Sequence, residues 1–330
     1  MPLDLVVPDL LSGPLHAARF ASIERAIVRA DLERVPKLGL DAWIADAFFG
    51  LASPAPVAAL TLAADEAPLP GAWLRADPVH LRIAQDAVSL HDSSVLDVTR
   101  EEADALCAAL QEHFAVDGME FRAPHPERWY VRVPAAELPR TTPLPDAVGR
   151  NVFGLLPRGD GRINWRSAIT EAQMVLASHP LNGVREASGQ PAINSVWFWG
   201  EGPTPESLAS RYALIAASSP LALGAARIAG VRTSPLPARA AQLDAVAHGA
   251  SALMVDDRLS RPLRAGDEQA WLAAATELDE TTFADIGVLA ERFDGVRIVL
   301  PAARDTLVAT ISPRAKWRWL RARKPLASHA

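Results

Sequence analysis

A chain of 330 residues that is 49% hydrophobic and 22% charged has the balance of a globular protein of about two domains. Its net charge of −6 argues against general or specific affinity for nucleic acid, and no apolar run reaches the ~18 residues that span a bilayer. The single cysteine, Cys107, excludes an internal disulfide and a Cys-x-x-Cys metal site, and fits a cytoplasmic location.

In chain order, Leu3-Asp4-Leu5-Val6-Val7 predicts a first strand, not a signal peptide, because no basic segment precedes it. Pro8-Asp9-Leu10-Leu11-Ser12-Gly13 follows as a turn. Two proline-rich passages, Ser53 through Pro70 and Pro134 through Pro145, bracket a middle module from about Trp73 to Val133. Within it, Thr99 and Glu102 predict a capping box. The helix they open carries Ala103, Leu106, Cys107, Leu110 and Phe114 on one face, which makes Cys107 a core filler rather than a nucleophile. The strand Arg128–Val133 closes the module.

From Asn164, which can cap a helix to about Ser178, strands and helices alternate. The pattern predicts strand 193–199, helix 205–211, an apolar run at 212–217, helix 220–229 and a strand near Val231. Helix 238–248, strand 251–255, helices near 268–278 and 282–293, and strand 296–300 complete it. Such alternation predicts an α/β fold: a mostly parallel sheet with helices on both faces, joined by the N-terminal strand. The middle module is then an insertion. The expected boundaries are 1–70 and 146–330 for the core and 71–145 for a small inserted α+β module.

The segment Asn194-Ser195-Val196-Trp197-Phe198-Trp199-Gly200-Glu201-Gly202 is the most distinctive in the chain. It reads as a strand that ends at a glycine turn, after which Thr204-Pro205-Glu206 has the residues of a helix N-terminus. Ligands of open α/β sheets sit outside the carboxyl ends of strands. Bare backbone at Gly200 and Gly202 would let one approach closely. The alternative is a packing turn with Trp197 and Trp199 on one face. Near the C-terminus, Arg314, Lys316, Arg318, Arg321, Arg323 and Lys324 surround Trp317 and Trp319. That tail, 314–330, is either a packed final helix or a surface for a protein partner or an anionic membrane. Phosphate loops, dinucleotide fingerprints and Gly-x-Ser-x-Gly elbows are absent.

His179-Pro180-Leu181-Asn182-Gly183-Val184-Arg185, then Pro191–Asn194 and Trp197–Pro203, resembles the archaeal-type, cofactor-independent phosphoglycerate mutases of the alkaline phosphatase superfamily. Those enzymes carry a similar His-Pro-x-Asn…Arg segment and a strand ending in Trp-Gly-x-Gly. The helix containing Glu101-Glu102-Ala103 looks like part of the domain they insert. Over the whole chain, with Trp73–Leu81 and Asn194–Gly202 as signatures, the sequence is similar to the RpfE-type regulatory proteins of proteobacteria. The resemblance implies an alkaline-phosphatase-like fold in a bacterial, cytoplasmic protein.

It also implies a comparison of chemistry. Enzymes of this superfamily use two divalent metals and a Ser or Thr nucleophile, held by Asp and His at strand ends. On that pattern Asp9 matches the first ligand, Asp256 and Asp257 the central pair, and Asp305 the last. No histidine accompanies them, since none lies between His248 and His329. Ser53 is the nearest nucleophile candidate, in a Ser-Pro-Ala-Pro setting unlike the expected one. Neither a dinuclear centre nor any cofactor is expected. The alternative is one Mg²⁺ or Mn²⁺ on the oxygen-only set Asp9, Asp256, Asp257 and Asp305, with helix capping as the competing role. On the substrate side, Arg185 is expected to grip a phosphate or carboxylate beside His179, Asn182 and Asn194. Arg75, Asp77 and His80 form a second polar cluster. For both groups the competing reading is a hydrogen-bond network that fixes a loop. These features lead to the expectation of a catalytically degenerate regulatory or binding protein that holds a small anion. The alternative is an active metal-dependent phosphomutase or phosphatase.

Overall fold

The computed structural model describes residues 2–36, 40–49, 55–84, 87–247, 249–301, 305–313 and 324–330. The chain divides into two units, one of Met1–Pro54 with Ser207–Ala330 and one of Ala55–Glu206.

The first unit is built on a seven-stranded sheet in the order Asp31–Pro36, Asp305–Ile311, Val296–Pro301, Leu3–Val6, Ser251–Val255, Tyr212–Ala217, Arg232–Ser234. From Val296–Pro301 to Arg232–Ser234 the strands run parallel, and the first two form an antiparallel edge. Leu3–Val6 and Ser251–Val255 are buried at every residue, as continuous apolar runs covered on both faces should be. Leu3 and Leu5 face a core with Ile23 and Ile27 of helix Ala21–Arg29, Trp271 and Leu278 of helix Glu268–Thr281, and Leu289 of helix Ile286–Arg292. Asp4 alternates with them and so points to the opposite face. There it accepts from Tyr212 Oη at 2.5 Å and from Arg297 at 2.8 and 2.7 Å. Trp43 of helix Leu40–Phe49 stacks on that tyrosine at 6.3 Å. Helices therefore lie on both faces of a mostly parallel sheet, as the strand–helix alternation predicts.

The second unit holds a five-stranded antiparallel sheet. Its longest strand, Ala72–Ala84, pairs with Ala87–His91, Arg128–Val133 and Ser195–Pro203, and Arg128–Val133 pairs on with Glu120–His125. Strand alternation sorts the two faces. Leu74, Ala76, Val131, Val196 and Phe198 pack under helices Arg100–Phe114 and Trp165–Ala177. On the other face, Trp73 and Tyr130 pack under helix Val57–Asp65. The capping box is present, with Glu102 N donating to Thr99 Oγ1 at 3.2 Å and Thr99 N to Glu102 Oε2 at 2.9 Å. Cys107 is buried in that helix's core face, and desolvation pushes its thiol up to about 12.

Several local expectations differ from the structure. Ser195–Pro203 does not join the parallel sheet; it pairs antiparallel with Ala72–Ala84, Asp77 opposite Trp197 and Arg75 opposite Trp199. That pairing carries the flanking segment with it, so the division falls after 54 and 206 rather than near 70 and 146. The strand does not end at the glycines but runs through both to Pro203. No helix forms over 205–211, because Thr204 is used elsewhere: its Oγ1 donates to Leu69 O at 2.6 Å and its N–H to Gly71 O at 2.9 Å. The helix predicted over 238–248 shrinks to one 3-10 turn, Ala240–Gln242, whose Ala241 N–H donates to Asp285 while Arg292 donates to the Ala241 and Leu243 carbonyls. Among the described residues no helix is long and apolar enough to cross a membrane. Ser53 and residues 314–323 of the basic tail lie outside the described residues.

Candidate functional site

Three parallel neighbours, Leu3–Val6, Ser251–Val255 and Tyr212–Ala217, end in register at one edge of the first unit's sheet, Val6 beside Val255 and Val255 beside Ala217. The residues that follow them carry oxygen: Asp9, Asp256 with Asp257, and Ser218. Carboxyl ends of parallel strands are where open α/β sheets place ligands. Asp9 sits in the left-handed region at φ 64°, and its Oδ2 accepts from Ser260 Oγ at 2.6 Å. Asp257 accepts from Ser218 Oγ at 2.7 Å. Burial pushes its carboxyl above the usual range, against that hydrogen bond, and the Asp256 charge beside it adds to the effect.

Asp256 is fully buried, and its N–H donates to Val6 O at 3.0 Å. Its Oδ1 accepts from Arg258 Nε at 2.8 Å, while Oδ2 has no partner among the described residues. Arg258 also reaches Glu277 at 2.9 Å. A cation of the chain's own thus neutralises the central carboxylate. Asp305 does not join this group: Arg34 on the edge strand takes both of its oxygens, at 2.6 and 2.8 Å. Among the described residues no three His, Cys, Asp or Glu side chains converge as a metal would need. These residues do not fit a twin-metal centre: imidazole is missing, and two of the carboxylates are already bound to guanidinium. Sequence reasoning passed over Arg258. The signal was its position two residues after a strand-end aspartate.

The second unit does bring the expected substrate-side residues together, but around backbone. Arg185, 1% exposed, directs Nε to Pro191 O at 2.9 Å, Nη1 to both Glu102 oxygens at 2.8 Å, and Nη2 to Leu96 O. Burial alone would raise the Glu102 carboxyl; the Thr99 N–H and the Arg185 guanidinium outweigh it and hold the group below its usual range. His80 Nδ1 lies 2.8 Å from Ala192 O. Asn182 donates to Ile193 O at 2.9 Å and to Leu176 O at 2.8 Å, and accepts from Ile193 N at 2.7 Å. Asn194 accepts from Leu81 N at 2.8 Å and donates to Leu81 O at 3.0 Å. His179 caps helix Pro180–Ala187, its Nδ1 accepting from Leu181 N at 3.3 Å. Arg185, Asn182, Asn194 and His80 therefore fasten one four-residue segment, 191–194, at the entrance to the Trp-rich strand, while His179 serves its own helix.

The other signature residues are held just as closely. Arg75 donates to Asp77 Oδ1 at 2.9 and 2.6 Å and lies between Tyr130 and Trp199, 5.2 and 5.4 Å from their ring centroids. Trp199 Nε1 donates to Asp77 Oδ2 at 2.7 Å. Desolvation dominates at Asp77 and pushes its carboxyl up, against the Arg75 charge and the Trp199 hydrogen bond. Gly200 has φ 67°, and its N–H donates to Thr141 Oγ1 at 3.2 Å. A Cβ there would stand 2.9 Å from Val57 Cβ, and one at Gly202 would stand 2.5 Å from Pro56 Cβ. Both glycines admit the start of helix Val57–Asp65, which covers the backbone a ligand would have to approach. Of the two readings of this turn, the geometry favours packing.

No family model matches the chain. Among curated proteins, the 2,3-bisphosphoglycerate-independent phosphoglycerate mutase of Methanosarcina acetivorans is 26% identical over 209 residues, 60% of this chain and 52% of the relative. Matches to such mutases span about half or less of the relatives' own length. Among solved structures, a protein from Pyrococcus horikoshii aligns with a TM-score of 0.51 at 14% identity, covering 94% of this chain and 87% of that one. The cofactor-independent phosphoglycerate mutase of Thermoplasma acidophilum covers 99% of this chain and 95% of its own, with a TM-score of 0.47 and 14% identity. The chain is thus similar in sequence to 2,3-bisphosphoglycerate-independent phosphoglycerate mutases and shares a mixed α/β fold with the Pyrococcus horikoshii protein.

Proposed function

We propose that this chain is a catalytically degenerate relative of the phosphoglycerate mutases, an RpfE-type cytoplasmic regulatory protein that acts by binding rather than turnover. One observation carries the reading: Arg258 Nε lies 2.8 Å from Asp256 Oδ1, so the chain supplies its own positive charge where a metal-dependent transferase needs a bare carboxylate. Asp9, likewise, is engaged by Ser260. The basic tail 314–330 is the proposed contact with a protein partner or an anionic surface.

The test is purified full-length protein with added Mg²⁺, Mn²⁺ or Zn²⁺, assayed for 3-phosphoglycerate isomerisation and phosphomonoester cleavage. The expected result is no turnover above a heat-inactivated control. Turnover that disappears in both Asp9→Ala and Asp256→Ala would overturn the proposal.

A second reading, an active phosphomutase or phosphatase with an altered oxygen-rich site, is favoured by one feature. Asp256 Oδ2 is a buried acceptor without a partner among the described residues. A single Mg²⁺ or Mn²⁺ would require Asp9 and Asp257 to turn from Ser260 and Ser218 toward Asp256, because the three carboxylates do not converge as they stand. Stoichiometric metal in the purified protein, lost in Asp256→Ala, distinguishes this reading from the first.

A further inference from the structure

A cavity of about 910 Å³ opens in the second unit around the loop that precedes helix Trp165–Ala177. Arg140, Arg158, Arg162 and Arg166 line it, and Asp160 is the one acid among its lining residues. All four arginines are exposed, and none forms an ion pair among the described residues. The loop presents them deliberately. Arg140 and Arg158 are clamped across from each other by backbone hydrogen bonds, Arg140 N to Arg158 O at 2.7 Å and Arg158 N to Arg140 O at 3.0 Å. Asn164 and Trp165, at the N-terminal end of the following helix, also line the cavity, so the positive end of a 13-residue helix adds to the same field. Asp160 lies among the arginines, and Glu137 and Glu201 reach the cavity's rim at Ile163 N and Thr141 N, so the four guanidiniums outnumber the nearby carboxylates and leave an excess of positive charge for an oxyanion to meet. Guanidinium forks match phosphate and carboxylate bidentately.

A second cavity, of about 480 Å³, adjoins the first and shares Leu156 and Arg166 with it. Its walls are mostly apolar, with Val88, Val152, Phe153, Ile169 and Trp197, and carry the polar side chains of Thr170, Gln173 and Asn194 as well. Phe153 is 60% exposed, an aromatic ring left without cover. Arg166 stands at the junction, where an arginine can lay its stem on the apolar side and its head on the charged side. Volumes of this order are those of small-molecule sites.

We propose that the adjoining cavities form one binding site for an amphipathic organic anion. Its phosphate or carboxylate head would lie among Arg140, Arg158, Arg162 and Arg166, and its apolar body against Phe153, Ile169 and Trp197. Such a site deepens the binding role proposed above and rests on it for its biological sense. Calorimetry reads a ligand in this unit and the isomerisation assay reads turnover in the other, so either can fail alone.

The experiment is calorimetric titration of the full-length chain with octyl phosphate, octanoate, inorganic phosphate and octanol. Octyl phosphate should bind at least about tenfold more tightly than inorganic phosphate or octanol. Octanoate within tenfold of octyl phosphate assigns the head to oxyanions in general, and weaker octanoate assigns it to phosphate; either supports the site. Arg166→Gln, an exposed helix position, should weaken octyl phosphate about tenfold. Phe153→Ser, which removes the ring without adding charge, should weaken octyl phosphate while leaving inorganic phosphate unchanged. Octanol binding as tightly as octyl phosphate would reduce the site to an apolar cleft, and inorganic phosphate doing so would reduce it to a cationic patch. Either result, no binding of octyl phosphate at all, or two folded variants that bind like the wild type would overturn the proposal.

Discussion

Replacing Arg185 with methionine separates the two roles this residue could have. The guanidinium is buried and fully engaged, with two bonds to Glu102 at 2.8 Å, one to Pro191 O at 2.9 Å and one to Leu96 O. Removing one member of a buried charge pair costs about 3–5 kcal/mol, because the partner charge stays behind unpaired. Glu102 keeps 14% side-chain exposure and its bond from Thr99 N, so water and the cap recover part of the loss. The expected destabilisation of Arg185→Met is therefore near the lower end, about 3 kcal/mol. Urea unfolding followed by far-ultraviolet circular dichroism measures it. Glu102→Gln leaves the more deeply buried guanidinium without its counter-charge and should cost at least as much, about 3 kcal/mol, and the double variant should cost less than the two singles together. The pH dependence has a definite sign. Glu102 is held below its ordinary value of 4.5, so its contribution is complete above that pH and is lost as pH falls through the lowered value. Arg185→Met should accordingly lose least, relative to the wild type, in acid. An Arg185→Met protein within about 0.5 kcal/mol of the wild type would refute the reasoning and return this residue to an anion-gripping role.

Three other outcomes follow from the geometry. Gly202→Ala pushes a methyl to 2.5 Å from Pro56 Cβ and should cost about 1–3 kcal/mol. Gly183→Ala, in a helix with nothing within 4 Å, should instead stabilise by about 0.5–1 kcal/mol; opposite signs in urea melts check both. The chain's two tyrosines, Tyr130 and Tyr212, are both pushed up by burial, the Asp4 carboxylate adding to the effect at Tyr212. Phenolate absorbance should therefore be missing from the native protein at pH 10.0, the ordinary phenol value, and appear only with unfolding. Their contribution to stability is complete below that pH and declines above it, as the unfolded phenols ionise. Arg258→Met leaves Asp256 buried with neither oxygen paired to a cation, so Mn²⁺ should raise the melting temperature of the variant and not that of the wild type.

The parallel sheet was legible because its strands are covered on both faces. Leu3–Val6 and Ser251–Val255 carry apolar residues almost without interruption, and such runs have few other uses. The same property hid the partner of Ser195–Pro203. Val-Trp-Phe-Trp is equally buried in a parallel or an antiparallel setting, and its place beside Ala72–Ala84 depends on residues more than a hundred positions earlier. The cap signal at Thr204 failed because a hydroxyl that can serve a helix can also serve a distant carbonyl. At the site, the positions were legible but their roles were not. Arg185, Asn182 and Asn194 have the donors that hold an anion, and the same donors satisfy backbone groups that would otherwise be buried unpaired. The arginines around the large cavity went unread because they are spread from 140 to 166 with no periodicity to mark them.

The Ala72–Ala84 strand has a consequence for turnover of the protein in a cell. Three other strands lean on it, along both of its edges, so the loss of any one leaves it held by the other two. A protease can catch the outer strands as they fray, but the Ala72–Ala84 segment itself becomes a substrate only in the rare opening that parts all three pairings.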